Sequence, residues 1–195
     1  MQEAEVSLSV ALYYIKNRLT DEDVRVSLDG AHIKIKDTIY FDIYGFLIEN
    51  SCRKVDGIAD SWQGVYEVEG YQPKLIISSM PGIGDVNMVT LDGKHIYVES
   101  KKGKDKNRSN SEYPLMREAI GQLMTGCKLD ERLIPVVAVP YSEKSYELAH
   151  RWSRFKQIQM VGIKFMLVQT DGNVELIYRT KFEFYGGKDI WQFDK

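Results

Sequence analysis

The stretch that decides the fold reads Gly84-Asp-Val-Asn-Met-Val-Thr-Leu-Asp-Gly-Lys-His-Ile-Tyr-Val-Glu-Ser-Lys101. Apolar and polar residues alternate on both sides of Asp92-Gly93, which is the pattern of a β-hairpin. Two registers are open. Asp92-Gly93 can form a two-residue turn, or Leu91-Asp92-Gly93 can form a three-residue loop with the glycine in the left-handed conformation. The register decides which side chains share a face of the hairpin.

Side-chain chemistry favours the three-residue loop. This register pairs Val86 with Val98 and Met88 with Ile96, which gives one coherent apolar face. The two-residue register sets Val86 against Glu99 and mixes the faces. In the favoured register the other face gathers the polar side chains Asp85, Asn87, His95, Tyr97, Glu99 and Lys101. We therefore predict that Asp85 lies directly opposite Glu99.

Two opposed carboxylates on one face of a hairpin favour a bound cation. The Cβ atoms of directly opposed residues lie about 5 Å apart, and like charges at that distance repel. Two carboxylates, completed by water and a substrate phosphate, form a shell that Mg²⁺ accepts. Lys101 lies about 7 Å beyond Glu99 on the same face. There it can contact a phosphate or help to activate a water molecule.

These residues resemble the motif of the PD-(D/E)xK nuclease superfamily, which has the restriction-endonuclease-like fold. The matching stretch is Asp85, thirteen intervening residues, and Glu99-Ser-Lys101. The resemblance implies a nuclease that hydrolyses phosphodiester bonds in DNA with Mg²⁺, for which Mn²⁺ can substitute. It implies that Asp85 and Glu99 hold the metal, that the main-chain carbonyl of Ser100 joins the metal shell, and that Lys101 assists hydrolysis.

The same resemblance implies contributions from two helices. The helix after the hairpin often supplies a Gln or Glu, and Glu118 and Gln122 lie four residues apart on one of its faces. A Glu of the first helix sometimes completes the metal site, and Glu3 and Glu5 are both candidates. The chain also departs from the superfamily pattern: Gly84 stands where a proline commonly precedes the Asp, and Gly126 stands where one branch has a tyrosine.

The rest of the chain predicts an α/β protein. Apolar spacing predicts helices at Val6–Leu19, Ser111–Thr125 and Ser142–Gln157. Strands are predicted at 32–36, 39–44, 64–68, 75–77, 133–139, 162–168 and 174–178, with 133–139 buried on both faces. The expected fold is a restriction-endonuclease-like sandwich, with a central mixed β-sheet flanked by helices. We expect a single domain over 1–195, with its core at about 75–180 and 24–74 as a β-rich insertion or appendage.

Composition restricts the class of protein and its partners. The chain has 195 residues, 44% of them hydrophobic, and a formal net charge of −2. Disordered, collagen-like and coiled-coil proteins are therefore excluded. No apolar run is long enough for a membrane span. The first residues do not resemble a secretion signal, and the two cysteines form no metal or disulfide motif. We expect a cytoplasmic protein with no membrane partner.

A basic run follows directly after the hairpin. Residues 101–108 contain five basic side chains and one acidic one. Such runs are often only solvated loops, but at this position the run can also neutralise DNA phosphates. The candidate phosphate contacts are Lys102, Lys104, Lys106 and Arg108. Many members of the superfamily that the motif resembles form homodimers, and we expect that this chain can form one too.

Two other function classes stay open on the sequence alone. The first is a nucleic-acid-binding or assembly module on the same fold, in which the carboxylates have no catalytic role. The second is a small-molecule enzyme in which the glycines between Pro81 and Asp85 shape a ligand loop. Binding of a divalent metal through Asp85 separates the nuclease from the binding module, and nothing else in the chain supports the small-molecule enzyme.

Overall fold

The structure is a computed structural model that describes residues 1–30, 33–35, 38–80, 84–103, 112–126 and 131–178. Within these ranges the chain forms five helices and eleven strands. In chain order they are α1 (Glu3–Lys16), β1 (Val24–Ser27), β2 (Lys34–Ile35), β3 (Thr38–Ile39), α2 (Ile43–Glu49), β4 (Cys52–Asp56), β5 (Gly64–Val68), β6 (Lys74–Ser78), β7 (Val86–Val89), β8 (His95–Ser100), α3 (Glu112–Gly126), β9 (Leu133–Pro140), α4 (Glu143–Trp152), α5 (Lys156–Val161), β10 (Lys164–Val168) and β11 (Val174–Ile177).

Nine of these strands form one mixed sheet in the order β11-β10-β9-β8-β7-β1-β6-β5-β4, while β2 and β3 form a separate pair. The pairs β1/β6, β8/β9 and β9/β10 are parallel. The other neighbours are antiparallel. It follows that β1, β6, β8, β9 and β10 all end at one edge of the sheet and that β7 begins there. We call this edge the carboxyl edge.

Helices cover both faces of the sheet. Buried residues of β9 alternate between two cores, with Val136 and Ala138 in one and Val137 and Val139 in the other. The first core includes residues of α1 and α2, and the second includes residues of α3 and α4. The prediction that β9 is buried on both faces is therefore confirmed, as is a mixed α/β fold with a large mixed sheet flanked by helices. No helix in the described ranges combines the length and apolar character needed to cross a bilayer.

The first turn of α1 lies at the carboxyl edge. The helix begins with a capping box, in which the Glu5 carboxylate accepts a hydrogen bond from the main-chain N–H of Gln2 (3.1 Å). The N–H of Gly103, three residues beyond β8, donates to the main-chain carbonyl of Met1 (3.0 Å). This contact brings the start of α1, including Glu3, close to the end of β8.

Residues 24–74, which the sequence suggested as an insertion or appendage, contribute strands to the same sheet. β1, β4 and β5 lie within this segment, and β1 pairs with both β6 and β7. The predicted strand at 39–44 is wrong over most of its length, because α2 begins at Ile43. The Asp42 side chain accepts a hydrogen bond from the N–H of Gly45 (3.0 Å) and so caps this helix. Ile43 and Leu47 then bury one helical face.

The predicted helix Ser142–Gln157 is also corrected, because it is two helices. α4 ends at Trp152 and α5 begins at Lys156, with Phe155 extended between them. Side chains satisfy the backbone groups that the break releases: the Ser153 hydroxyl donates to the His150 carbonyl (3.0 Å), and the Gln159 amide donates to the Ser153 carbonyl (3.0 Å). The strands predicted at 162–168 and 174–178 correspond to β10 and β11, which pair antiparallel.

Candidate active site

The hairpin of β7 and β8 has the register that the apolar residues predict. Val86 pairs with Val98, and Met88 pairs with Ile96, and all four side chains are buried in the core that contains α1. The ladder closes through Thr90, whose N–H donates to the Lys94 carbonyl (2.9 Å). Leu91-Asp92-Gly93 is therefore a three-residue loop, and Gly93 has φ +74°. The prediction of the three-residue register is confirmed.

Asp85 reaches across the start of this hairpin to the opposite strand. Its N–H donates to the Val98 carbonyl (2.7 Å), and its own carbonyl accepts from the N–H of Ser27 in β1 (2.8 Å). Its carboxylate accepts a hydrogen bond from the main-chain N–H of Ser100 (2.7 Å). The backbone of Asp85 is thus fixed from both sides, and its side chain lies against the segment that carries Glu99.

The carboxylate of Glu99 is held in an unfavourable environment. The side chain is half-buried on the face of β8 opposite the α1 core. Burial raises the pKa of Glu99 to about 7, and the negative charges of Asp85, Glu3 and Glu118 contribute in the same direction, while Lys101 opposes them. The carboxylates of Asp85, Glu3 and Glu118 therefore each lie close enough to repel that of Glu99. We call Asp85, Glu99, Glu3 and Glu118 the acidic cluster.

Lys101 places a buried positive charge in this cluster. Its side chain is only 6% exposed, and its Nζ lies 3.9 Å from Oε1 of Glu3 and 3.6 Å from Oε1 of Glu118. The main-chain N–H of Lys101 donates to the Ala138 carbonyl of β9 (2.9 Å), which fixes the backbone at the end of β8. One ammonium group thus connects α1, β8 and α3 at the carboxyl edge.

The remaining predicted residues take different positions. The structure distinguishes the two candidates on α1, because Glu3 contacts Lys101 whereas Glu5 belongs to the capping box. Glu118 contacts Lys101, and Gln122 lies exposed one helical turn further along α3. Ser100 is fully buried, and its hydroxyl has no hydrogen-bond partner among the residues that the structure describes. Lys102 is exposed. Lys104, Lys106 and Arg108 lie outside the described residues.

The donor set suits a hard divalent cation. No group of three His, Cys, Asp or Glu side chains in the described ranges has the arrangement of a complete protein-only metal site. Mg²⁺ seldom needs one, because one or two carboxylates plus water and substrate phosphates usually complete its shell. Asp85, Glu99 and the main-chain carbonyl of Ser100 would supply the protein ligands. Burial is the main cause of the raised pKa of Glu99, and the repulsion from Asp85, which adds to it, is what a cation would relieve.

This repulsion predicts how the stability of the metal-free protein depends on pH. Between the ordinary pKa of a Glu and about 7, the folded protein binds more protons at Glu99 than the unfolded chain does. The contribution of Glu99 to stability should therefore be fully present below the ordinary pKa and be lost as the pH rises through about 7. Glu99→Gln should remove this fall and stabilise the protein by about 1 to 2 kcal/mol above pH 7, allowing for partial solvation. Urea unfolding in chelator at several pH values measures the effect.

The matched control for this prediction is Glu143→Gln, which removes an exposed carboxylate at the start of α4. This variant should keep the fall in stability with pH. If Glu99→Gln and the wild type show the same pH dependence, the pKa of Glu99 is not raised in solution.

Gly84, directly before Asp85, has a left-handed backbone and lies close to the backbone of β8. It has φ +74°, and a Cβ atom at this position would lie 2.8 Å from the main-chain oxygen of Val98. A side chain would push the backbone away from β8 next to Asp85. We expect Gly84→Ala to destabilise the protein by about 2 to 3 kcal/mol, the sum of left-handed strain and the clash with backbone.

Gly93→Ala provides a matched control in the same hairpin. Gly93 also has φ +74°, but a Cβ atom there would meet nothing within 4 Å. This variant should lose only about 1 kcal/mol, because it carries the strain without the clash. Thermal or urea unfolding compares the two, and equal losses would contradict the close approach of Gly84 to Val98.

Comparison of the chain with protein-family models, with curated proteins and with solved structures finds no match. The assignment of a function therefore rests on the motif residues and on their geometry at the carboxyl edge.

Proposed function

We propose that this protein is a Mg²⁺-dependent nuclease of the PD-(D/E)xK type that hydrolyses phosphodiester bonds in DNA. The observation that carries the proposal is the convergence of Asp85, Glu99 and Lys101 at the end of one hairpin. Asp85 bonds to the main chain next to Glu99, the pKa of Glu99 is raised to about 7, and Lys101 is buried beside them. A carboxylate with a perturbed pKa beside a buried lysine is typical of catalytic sites.

The order of elements around the hairpin supports the same proposal. The hairpin is followed by α3, by the doubly buried strand β9 and by α4. This is the order that the resemblance implies for the core of a restriction-endonuclease-like fold. β9 lies parallel to β8, so that the end of the buried strand lies next to Lys101. We therefore also propose that the fold is of this type.

Each residue of the site has a role that its position supports. Asp85 and Glu99 would hold the divalent ion, and a bound ion would polarise the scissile phosphate and lower the pKa of a neighbouring water molecule. The ammonium of Lys101 would stabilise the negative charge that develops on the phosphate. Glu118 and Glu3, on opposite helices, orient this ammonium. Gln122 is exposed on the same helix as Glu118 and would orient the attacking water.

The residues after Lys101 would contribute to DNA binding. Lys102 is exposed directly beyond the site and is suited to a phosphate contact. We assign the same role to Lys104, Lys106 and Arg108 on the basis of the sequence. Binding should therefore weaken as the salt concentration rises, because each phosphate contact releases counterions.

A cleavage assay tests the proposal directly. Linear, nicked, branched and single-stranded DNA are each incubated with the protein in Mg²⁺, in Mn²⁺ and in EDTA. The proposal expects cleavage of at least one substrate with either metal and none in EDTA. Absence of cleavage on every substrate with both metals would overturn it.

One observation favours a second candidate, a nucleic-acid-binding module without catalysis. The Lys101 ammonium already lies near two carboxylates, as it would in a purely structural ion cluster. Calorimetric titration with Mn²⁺ separates the two candidates. The nuclease should bind Mn²⁺ and lose this binding in Asp85→Asn, whereas the binding module should show salt-dependent DNA binding and no Mn²⁺ binding.

A further inference from the structure

The start of α4 lies next to the proposed active site. β9 ends at Pro140 on the carboxyl edge, beside the parallel strand β8. A Cβ atom on Gly103, two residues beyond Lys101, would lie 3.2 Å from Cγ of Pro140. Tyr141 follows directly and is fixed through its N–H, which donates to the Val168 carbonyl (2.8 Å). Tyr141 therefore directly follows a residue that lies beside Gly103 at the carboxyl edge.

Exposed aromatic rings continue from this point along α4. Tyr141 is 45% exposed and Tyr146 is 38% exposed, although both rings are large and apolar. Their centroids lie 6.1 Å apart, and the ring of His150 lies 4.3 Å from that of Tyr146. Each tyrosine is supported by an aromatic neighbour, so that both rings are held in place before any ligand arrives. We call Tyr141 and Tyr146 the tyrosine pair.

The charges near the tyrosine pair suit an anionic ligand. Glu147 lies 2.7 Å from the Lys144 ammonium and 3.6 Å from the Arg151 guanidinium, so these three side chains together carry one net positive charge. Lys102 is exposed one residue before Gly103. Glu143, exposed on the first turn of α4 two residues after Tyr141, balances the net charge of those three side chains, so the net positive charge near the tyrosine pair comes from Lys102. Exposed rings beside such cations are the combination that binds unpaired nucleotides.

We propose that the tyrosine pair binds unpaired bases of a DNA strand next to the active site, so that the preferred substrate contains a single-stranded segment. This inference rests on the proposed nuclease function and names its substrate class. An unpaired base offers its flat face to an aromatic ring, and such stacking tolerates any base. Bases inside a duplex stack on each other and leave no face for the tyrosines. A flap, a branch or a single-stranded end fits this requirement.

The test measures DNA binding by fluorescence anisotropy in EDTA, with a labelled oligothymidylate and a labelled blunt duplex as the two probes. The double variant Tyr141→Ala, Tyr146→Ala should bind the oligothymidylate about ten-fold to a hundred-fold more weakly, given the usual strength of base–aromatic stacking. Its affinity for the blunt duplex should change little. The double variant Tyr141→Phe, Tyr146→Phe keeps both rings and should bind like the wild type.

Tyr44→Ala is the matched control, because Tyr44 is 43% exposed on α2, which packs on the far strand β4. It should not change the affinity for either probe. The inference is overturned if the double alanine variant binds oligothymidylate like the wild type, if its affinity for both probes falls equally, or if the wild type does not bind oligothymidylate.

The outcomes separate this inference from the proposed function, because binding is measured without a divalent ion. Cleavage by the wild type together with normal oligothymidylate binding by the double alanine variant overturns the tyrosine inference alone. Binding through the tyrosine pair without cleavage in Mg²⁺ or Mn²⁺ overturns the nuclease proposal alone.

Discussion

Asp85→Asn is expected to lower metal-dependent cleavage of DNA by about a thousand-fold, because a ligand worth several kcal/mol to the transition state is lost. The side chain lies where its carboxylate accepts from the Ser100 N–H and repels Glu99. Asn has the same shape and can keep the hydrogen bond through its amide oxygen, but it removes the negative charge. The loss should therefore appear in kcat and in Mn²⁺ affinity while the fold is retained.

Asp92→Asn is the matched control for this variant. It makes the same change at the opposite end of the same hairpin, where Asp92 is exposed and its carboxylate lies 2.7 Å from the Lys94 ammonium. Cleavage and Mn²⁺ affinity should stay at the wild-type level. Single-turnover cleavage and calorimetry measure both variants. If Asp85→Asn retains activity within a few-fold of Asp92→Asn, Asp85 is not a metal ligand.

Lys101→Met should affect both cleavage and stability. Loss of the ammonium removes a charge from the proposed transition state, and cleavage should fall about a hundred-fold or more. The same change leaves Glu3 and Glu99 in a partly buried cluster without their cation. Stability near neutral pH should fall by about 1 to 2 kcal/mol, since Glu118 is 57% exposed and is largely screened by water.

A second substitution separates the two effects of Lys101→Met. Adding Glu3→Gln removes one uncompensated charge and should restore part of the stability, while cleavage stays lost. Lys102→Met is the control, because its exposed ammonium directly follows the buried one. It should leave stability unchanged and lower the slope of log affinity against log salt by about 1. Recovery of cleavage in the Lys101→Met, Glu3→Gln variant would show that Lys101 acts only by balancing charge.

The hairpin that carries Asp85 and Glu99 could be predicted from the sequence, because the pairing of apolar residues across it fixes its register. In the hairpin of β7 and β8, only the three-residue loop pairs apolar residues with apolar residues, and burial of Val86 and Val98 in one core fixes that choice. The doubly buried strand β9 was predictable for the same reason, since a continuous apolar run has no polar face to turn towards water.

The contribution of α1 could not be predicted in this way. Glu3 and Glu5 both occupy the first turn, and local sequence does not tell which one faces the sheet. Glu3 meets Lys101 only because β1 inserts between β6 and β7, so that α1 crosses the sheet with its start at the carboxyl edge. Parallel pairing of β1 with β6 joins residues about fifty positions apart, such as Val24 and Leu75. No turn sequence and no periodicity of apolar residues predicts a contact between positions so far apart.

Secondary structure was mispredicted where a side chain satisfies the backbone locally. The run from Ile39 to Tyr44 has the composition of a strand, yet the Asp42 cap and the burial of Ile43 and Leu47 favour a helix. The break after Trp152 depends on the Ser153 hydroxyl and on the Gln159 amide, which bond to nearby carbonyl groups. These bonds join residues only three and six positions apart, but helical periodicity does not encode them.

The ion cluster around Lys101 also bears on how the polypeptide folds. Its two outer members, Glu3 and Glu118, are separated by 115 positions (118 minus 3), and both approach the same ammonium. During synthesis, therefore, the contacts of Lys101 with both Glu3 and Glu118 can form only after α3 has left the ribosome. Contacts so distant in the chain slow folding. Any partly folded species without α3 lacks the Glu118 contact, so the proposed nuclease activity should appear only when the native state is complete.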